Sequence, residues 1–168
     1  MTAPALPPLM GRLLALLPGR GLRLEPQDDT LLAGALERDG ARFGLMLAAR
    51  EDERLLIALV HYPVEVADDL LPDWALLLAA LNRGLPRGRF ELDLDAGQVH
   101  YFHSADFVDS ELTPAQLDRF LLPVLEQGFR ACALFDAFAD GRLDLEAAFA
   151  DLAAVRVELD QVPGLSRA

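Results

Sequence analysis

Residues 81–101, LNRGLPRGRFELDLDAGQVHY, decide the fold of this chain. Asn82 and Gly84 follow an apolar helical run and suit a helix C-terminus, where a left-handed residue is needed. Pro86 then forbids continuation, because proline has no N–H to donate and its ring clashes with the preceding turn. Phe90, Leu92 and Leu94 alternate with Glu91, Asp93 and Asp95, which is the period of a half-buried strand. Asp95-Ala96-Gly97 supplies a turn, and Val99 and Tyr101 continue on a returning strand. The stretch therefore reads as a helix end, a tight connection, a strand, a turn and a second strand.

Upstream of it, Pro7 and Pro8 suit the first turn of a helix whose wide apolar face uses Leu9, Met10, Leu13, Leu14, Leu16 and Leu17. Pro18-Gly19 stops it. Its polar face has only Arg12, so packing on a sheet is the stronger reading and lying on a membrane the weaker one. Leu22 and Leu24 suggest a short strand. Thr30 to Arg38 reads as a strand, Asp39-Gly40 as a hairpin turn and Phe43 to Ala49 as the returning strand. Glu51-Asp52-Glu53 reads as a solvated hairpin tip. Arg54 to Tyr62 is apolar on both faces and should be central or covered twice, with Pro63 ending or bending it. Asp69 to Asn82 is a helix with Pro72 in its first turn and Trp74, Leu77, Leu78 and Leu81 on one face.

Downstream, Thr113-Pro114-Ala115-Gln116 is a capping box with proline at the first helical position, and Leu112 and Leu117 fit the hydrophobic staple around it. That helix is expected to run to about Ala139, kinked at Pro123, weakened at Gly128 and stopped at Asp140-Gly141. Leu143 to Val155 gives a last amphipathic helix using Leu145, Ala148, Phe149 and Leu152, and the tail after Val157 should fray. The expected class is α+β: a mostly antiparallel five-stranded sheet with helices packed on one face, in the order α-β-β-β-α-β-β-α plus a C-terminal helix. Residues 1–140 form the domain and residues 141–168 a helical extension and tail.

The 168 residues fit one domain with a real core. No apolar run reaches the roughly 18 residues of a membrane span. Arg12 interrupts the N-terminal apolar run and no basic segment precedes it, so export is not expected. Cys132 is alone, which excludes an internal disulfide framework and fits a cytoplasmic protein. The net charge is −12 and every basic residue is arginine. Residues 1–90 carry 12 acids and 10 arginines, whereas residues 91–160 carry 15 acids and 4 arginines. An acidic second half repels phosphate backbones, so direct nucleic-acid binding is not expected and a basic protein partner is favoured. A well-solvated surface explains the same charge more plainly.

The element order and the central stretch resemble the YbjN family of small bacterial proteins. The residues that carry the resemblance are Leu81-Asn82, Leu85-Pro86, Gly88, Phe90, Leu92-Asp93, Gly97, Val99 and Tyr101, with a looser continuation from Leu112 to about Phe138. The family looks like the class I type III secretion chaperones in fold, which implies an α-β-β-β-α-β-β-α unit that often dimerises. The resemblance brings no set of catalytic residues and no cofactor.

Chemistry is sparse. His100 and His103 are three apart on an expected strand, so they point to opposite faces and would not share a metal ion. Asp93, Asp95 and Gly97 lack the later acids of a calcium loop. Ser104 beside His103 and Asp106 has no nucleophile elbow. Cys132 has no nearby histidine and reads as a small buried residue. Arg83, Arg87 and Arg89 form a basic cluster within the acidic field; a solvated loop is the plain reading and a grip on an acidic partner the sharper one.

What remains is surface for binding. An open sheet face with apolar residues marks an interface. Phe43, Leu45, Leu47, Leu55, Ile57, Leu59, His61, Phe102, Phe120 and Val124 are the candidate protein-binding or dimer-interface residues. The expected function is a non-enzymatic, chaperone-like adaptor that forms a homodimer and binds a basic client protein, a nucleic-acid-binding protein being a special case of such a client. The other reading is a regulator that senses a small molecule held between the helices and the sheet.

Overall fold

A computed structural model describes residues 8–150 of the chain. The elements in order are helix α1 (Leu9–Leu16), strands β1 (Glu25–Pro26), β2 (Leu31–Arg38), β3 (Ala41–Arg50) and β4 (Leu55–Glu65), helix α2 (Leu71–Asn82), strands β5 (Arg89–Asp93) and β6 (Gln98–Asp106), and helix α3 (Pro114–Ala139). Single 3-10 turns follow α1 and precede α2. The sheet is antiparallel throughout, in the order β1-β2-β3-β4-β6-β5. It has six strands and not the expected five, because Glu25–Pro26 makes a two-residue rung on β2 just beyond Leu22 and Leu24.

The hairpin between β2 and β3 closes over Asp39 and Gly40, both at positive φ (54° and 83°), which matches the twist of the two strands. β4 lies inside the sheet between β3 and β6, as its two apolar faces require. It runs through Pro63 to Glu65, and its register against β6 shifts between His61 and Glu65, which absorbs the proline. β5 ends at Asp93, and Leu94 is 64 % exposed in the turn rather than on the strand. The Asp93 carboxylate accepts the N–H groups of Asp95 and Ala96, both at 3.0 Å, and this local turn outcompetes a further rung.

The three helices cover one face of the sheet. Leu32 of β2, Phe43, Leu45, Leu47 and Ala49 of β3, Leu56, Ala58, Val60 and Tyr62 of β4, Phe90 of β5, and Val99 and Tyr101 of β6 are buried beneath them. From the helices come Leu9, Leu13, Trp74, Leu77, Leu117, Phe120, Leu121, Val124 and Phe135. Phe135 is the hub, with ring contacts to Tyr62, Trp74 and Phe90 at centroid distances of 4.8, 5.4 and 5.5 Å. The Tyr62 hydroxyl donates to the Gln127 carbonyl at 2.9 Å and ties β4 to α3.

Two helix ends are set differently. Thr113 caps α3 with the full reciprocal box: its Oγ1 accepts the Gln116 N–H at 3.3 Å, and Gln116 Oε1 accepts the Thr113 N–H at 2.9 Å. α1 starts at Leu9 behind Pro8 and has no cap of its own; the Glu51 carboxylate accepts the N–H groups of Leu9 and Met10, both at 2.9 Å. Glu51 is therefore a tertiary cap at the positive end of a helix, not part of a solvated tip. α3 is helical through Pro123 and stops at Asp140, followed by Gly141 at φ 66°. Residues 145–150 are helical again, with Asp144 Oδ1 accepting the Ala147 N–H at 2.8 Å. The expected remainder of that helix and the tail lie outside the described residues.

Candidate functional site

The face of the sheet opposite the helices is open. Pleating alternates side chains between faces, so every second residue of each strand points there. Antiparallel register lines them up in rows: Ala48, Ile57 and Ser104; Met46, Leu59 and Phe102; Gly44, His61 and His100. Leu55 closes the stripe at the Arg50 end of β3. Leu55, Ile57, Leu59, His61, Phe102, His100, Met46 and Ala48 are all half-buried, shielded by one another and not by an overlying element. His61 Nδ1 and His100 Nε2 lie 3.1 Å apart, so one nitrogen carries the hydrogen and the other accepts it. Burial lowers the pKa of His100, and the neighbouring His61 lowers it further against the opposing pull of Asp93 and Glu91.

A second feature lies at the outer edge of β6. β5 pairs with β6 only from Gln98 to Phe102, so His103 to Asp106 carry no strand on that side. An open trough of about 540 Å³ fills the gap, bounded by the Arg87–Arg89 segment, by β6 and by Gln116, Arg119 and Phe120 of α3. His103 is 6 % exposed and stacks on Phe120 at a centroid distance of 5.2 Å and 29°. Burial, and then the Arg87 charge, lower its pKa. Tyr101 donates its hydroxyl to the Arg87 carbonyl at 2.9 Å, and burial pushes that phenol up to about 12.

The match to known families is decisive over most of this architecture. The YbjN model, described as "Putative bacterial sensory transduction regulator", matches residues 11–138. The chain belongs to the YbjN family. Among solved structures, the YbjN chain is similar to one in the ExsC-ExsE complex, with 21 % identity and a TM-score of 0.54 over 77 % of this chain and 97 % of that one. The HopA1-SchA chaperone-effector complex gives 25 % identity and 0.47 over 74 % and 98 %. The Yersinia pestis type III secretion chaperone SycH in complex with a fragment of YscM2 gives 17 % identity and 0.44 over 71 % and 95 %. The second and third are described as chaperones in complex with another protein, and the first shares the fold of the YbjN chain. Comparison with curated proteins returns no match.

The fold divides the ten candidate interface residues of this YbjN chain into two sets. Leu55, Ile57, Leu59, His61 and Phe102 come together on the open face. Phe43, Leu45, Leu47, Phe120 and Val124 lie at most 3 % exposed between sheet and helices, where they hold the chain's own core. The notional metal and triad groups do not assemble. His100 and His103 face opposite sides of β6, and no cluster of three or more histidine, cysteine, aspartate or glutamate side chains that could hold a metal occurs among the described residues. Cys132 is buried, donates its thiol to the Gly128 carbonyl at 3.1 Å, and has its pKa raised by burial. Sequence reading missed the His61–His100 pair, because cross-strand register is not written in either strand alone. It also missed Arg119 as a companion of the Arg87–Arg89 cluster, some 30 residues away in the chain. Among the described residues no helix is long and apolar enough to cross a membrane.

Proposed function

We propose that this protein is a non-enzymatic, cytoplasmic, chaperone-like adaptor that pairs with a second copy through the open sheet face and holds a basic client protein. The observation that carries the reading is the stripe of Leu55, Ile57, Leu59, Phe102 and Met46, which no element among the described residues covers. Apolar stripes of this kind are unstable in water and mark interfaces. A two-fold pairing of sheet faces uses the same patch on both copies, so one chain supplies both halves. The ExsC structure, which shares the fold, was solved bound to another protein, and this supports partner binding as the use of the architecture. The net charge of −12 favours a basic client.

Light scattering tests the pairing. The chain should run at twice its 18.4 kDa at tens of micromolar. Ile57→Asp and Leu59→Asp should return it to a monomer, while Leu76→Asp, on the exposed side of α2, should not. A monomeric wild-type chain at that concentration would remove the dimer. Capture from source-cell lysate at two salt concentrations tests the client: one dominant basic protein, weakened at high salt, is the expected result.

A second reading, a regulator that senses a small molecule between helices and sheet, is favoured by one observation, the trough between β6 and α3.

A further inference from the structure

We infer that the trough at the outer edge of β6 is a binding site for a small phosphorylated ligand, gripped by the guanidinium groups of Arg87, Arg89 and Arg119. The inference rests on the ligand-binding reading and names its site and chemistry. The trough exists because two neighbouring strands differ in length: β5 has five residues and β6 nine, and β5 leaves the far end of β6 bare. α3 then lies across the gap with Gln116, Arg119 and Phe120 facing it. The volume of about 540 Å³ falls in the range of small-molecule sites, roughly 300–1,000 Å³.

The lining is cationic on a strongly acidic protein. The lining holds three arginines and one carboxylate, Asp106, and Glu91 beside it pairs with Arg89. They come from two separate parts of the chain, so the topology brings them together and local composition does not. Arg89 holds Glu91 at 2.6 Å and lies 4.3 Å over the Phe102 ring, which fixes its planar fork at the open-face rim of the trough. Arg87 and Arg119 make no ion pair among the described residues and are open to a ligand. Guanidinium groups match phosphate oxygens two at a time, and a surplus of positive over negative charge suits a phosphate dianion better than a lone carboxylate.

The backbone that presents Arg87 is held in place. Tyr101 pins the Arg87 carbonyl at 2.9 Å, and Gly88 sits at φ 67° against the Tyr101 ring and the Phe102 carbonyl, where no Cβ fits. Ser104, exposed on the open-face side of β6, also borders the trough, and its hydroxyl can add a hydrogen bond. Ala105, Phe107 and Phe120, with Phe102 at the open-face rim, add apolar lining for the organic part of a phosphate ester. Gln116 does not contribute, since its side chain is engaged in the cap of α3 and with Ser110 Oγ at 3.3 Å.

The test uses the full chain with three probes, inorganic pyrophosphate, ADP and adenosine, in thermal shift and titration calorimetry. Pyrophosphate and ADP should raise the unfolding midpoint and bind one per chain, ADP more tightly, while adenosine should not. Arg119→Gln, at an exposed position, should weaken ADP about tenfold or more, since a lost charge-assisted hydrogen bond is worth that much. Arg87→Gln should do the same, and Arg130→Gln, exposed on α3 away from the trough, should leave the affinity unchanged. Each variant is first checked for an unaltered midpoint without ligand. Unchanged affinity in the Arg119 and Arg87 variants overturns the site. Adenosine binding as tightly as ADP overturns the anion chemistry and leaves the ligand-sensing reading standing, whereas no binding by any probe overturns both. A glutamate decapeptide that outcompetes ADP and is lost in the same variants overturns the phosphate assignment in favour of an acidic protein segment.

Discussion

Gly128 sits in the middle of α3, where glycine costs about 1 kcal/mol relative to alanine. The tertiary structure supplies the reason for it: a Cβ there would stand 2.5 Å from Cζ and 2.7 Å from Cε1 of Phe43. Phe43 cannot swing freely, being 1 % exposed and held edge-on by Phe129 at 4.8 Å. Gly128→Ala should therefore destabilise the fold by about 1–2 kcal/mol in urea unfolding, the overpacking outweighing the helix gain. A stabilised variant would mean that the ring yields at little cost. At the same scale, His100 and His103 both have pKa values lowered from 6.5, chiefly by burial. The unfolded chain then binds protons before the folded one does, so stability is full above about pH 6.5 and falls as pH drops through the folded values. Histidine ring titration by NMR should show the His100 and His103 midpoints below the ordinary imidazole value of 6.5, and His103→Phe should flatten part of the acid loss. A pH-independent stability between 7 and 5 would sink this account.

Asn82 shows how an element is finished by a side chain. The sequence pattern suits it to a left-handed helix end, yet the cap residue Arg83 is right-handed, with φ −62° and ψ −23°. Instead the Asn82 amide lies along the outer edge of β5, donating to the Phe90 carbonyl at 2.9 Å and accepting the Phe90 N–H at 2.7 Å. It imitates one rung of a neighbouring strand and blunts an edge that could otherwise recruit another chain. Asn82→Ala should cost about 1–3 kcal/mol and speed hydrogen exchange at the Phe90 amide more than at the Tyr101 amide. Equal exchange at both would show that water replaces the amide without loss. The elements themselves were legible: the Thr113 box, the Asp39-Gly40 turn and the Leu117, Phe120, Leu121, Val124 stripe all encode local geometry that needs few distant partners. Glu51 was not legible as a cap, because the helix it serves lies 41 residues earlier in the chain.

For the whole molecule, charge and apolar surface pull against each other. Two copies at −12 each repel, and salt screens that repulsion, so pairing through the open face should tighten as salt rises from 0.05 M to about 0.5 M. Binding of a basic client should weaken over the same range. Sedimentation equilibrium and client titration measure the two; a dimer that loosens with salt would mean that ion pairs, not Leu59, Ile57 and Phe102, hold it. The candidate site was half legible for a related reason. Alternation in Arg54 to Tyr62 showed two apolar faces, but the sequence alone does not say which face a helix covers. Local pattern, through strand alternation, capping and turn residues, determined the element order, the antiparallel hairpins and the central place of β4. Only the tertiary structure decided that Phe43, Leu45 and Leu47 face the helices while Ile57 and Leu59 face outward, that His61 meets His100, and that Arg119 joins Arg87 beside β6. Those outcomes depend on register and packing between segments far apart in the chain, and pairwise meetings of that kind leave no periodicity in either segment.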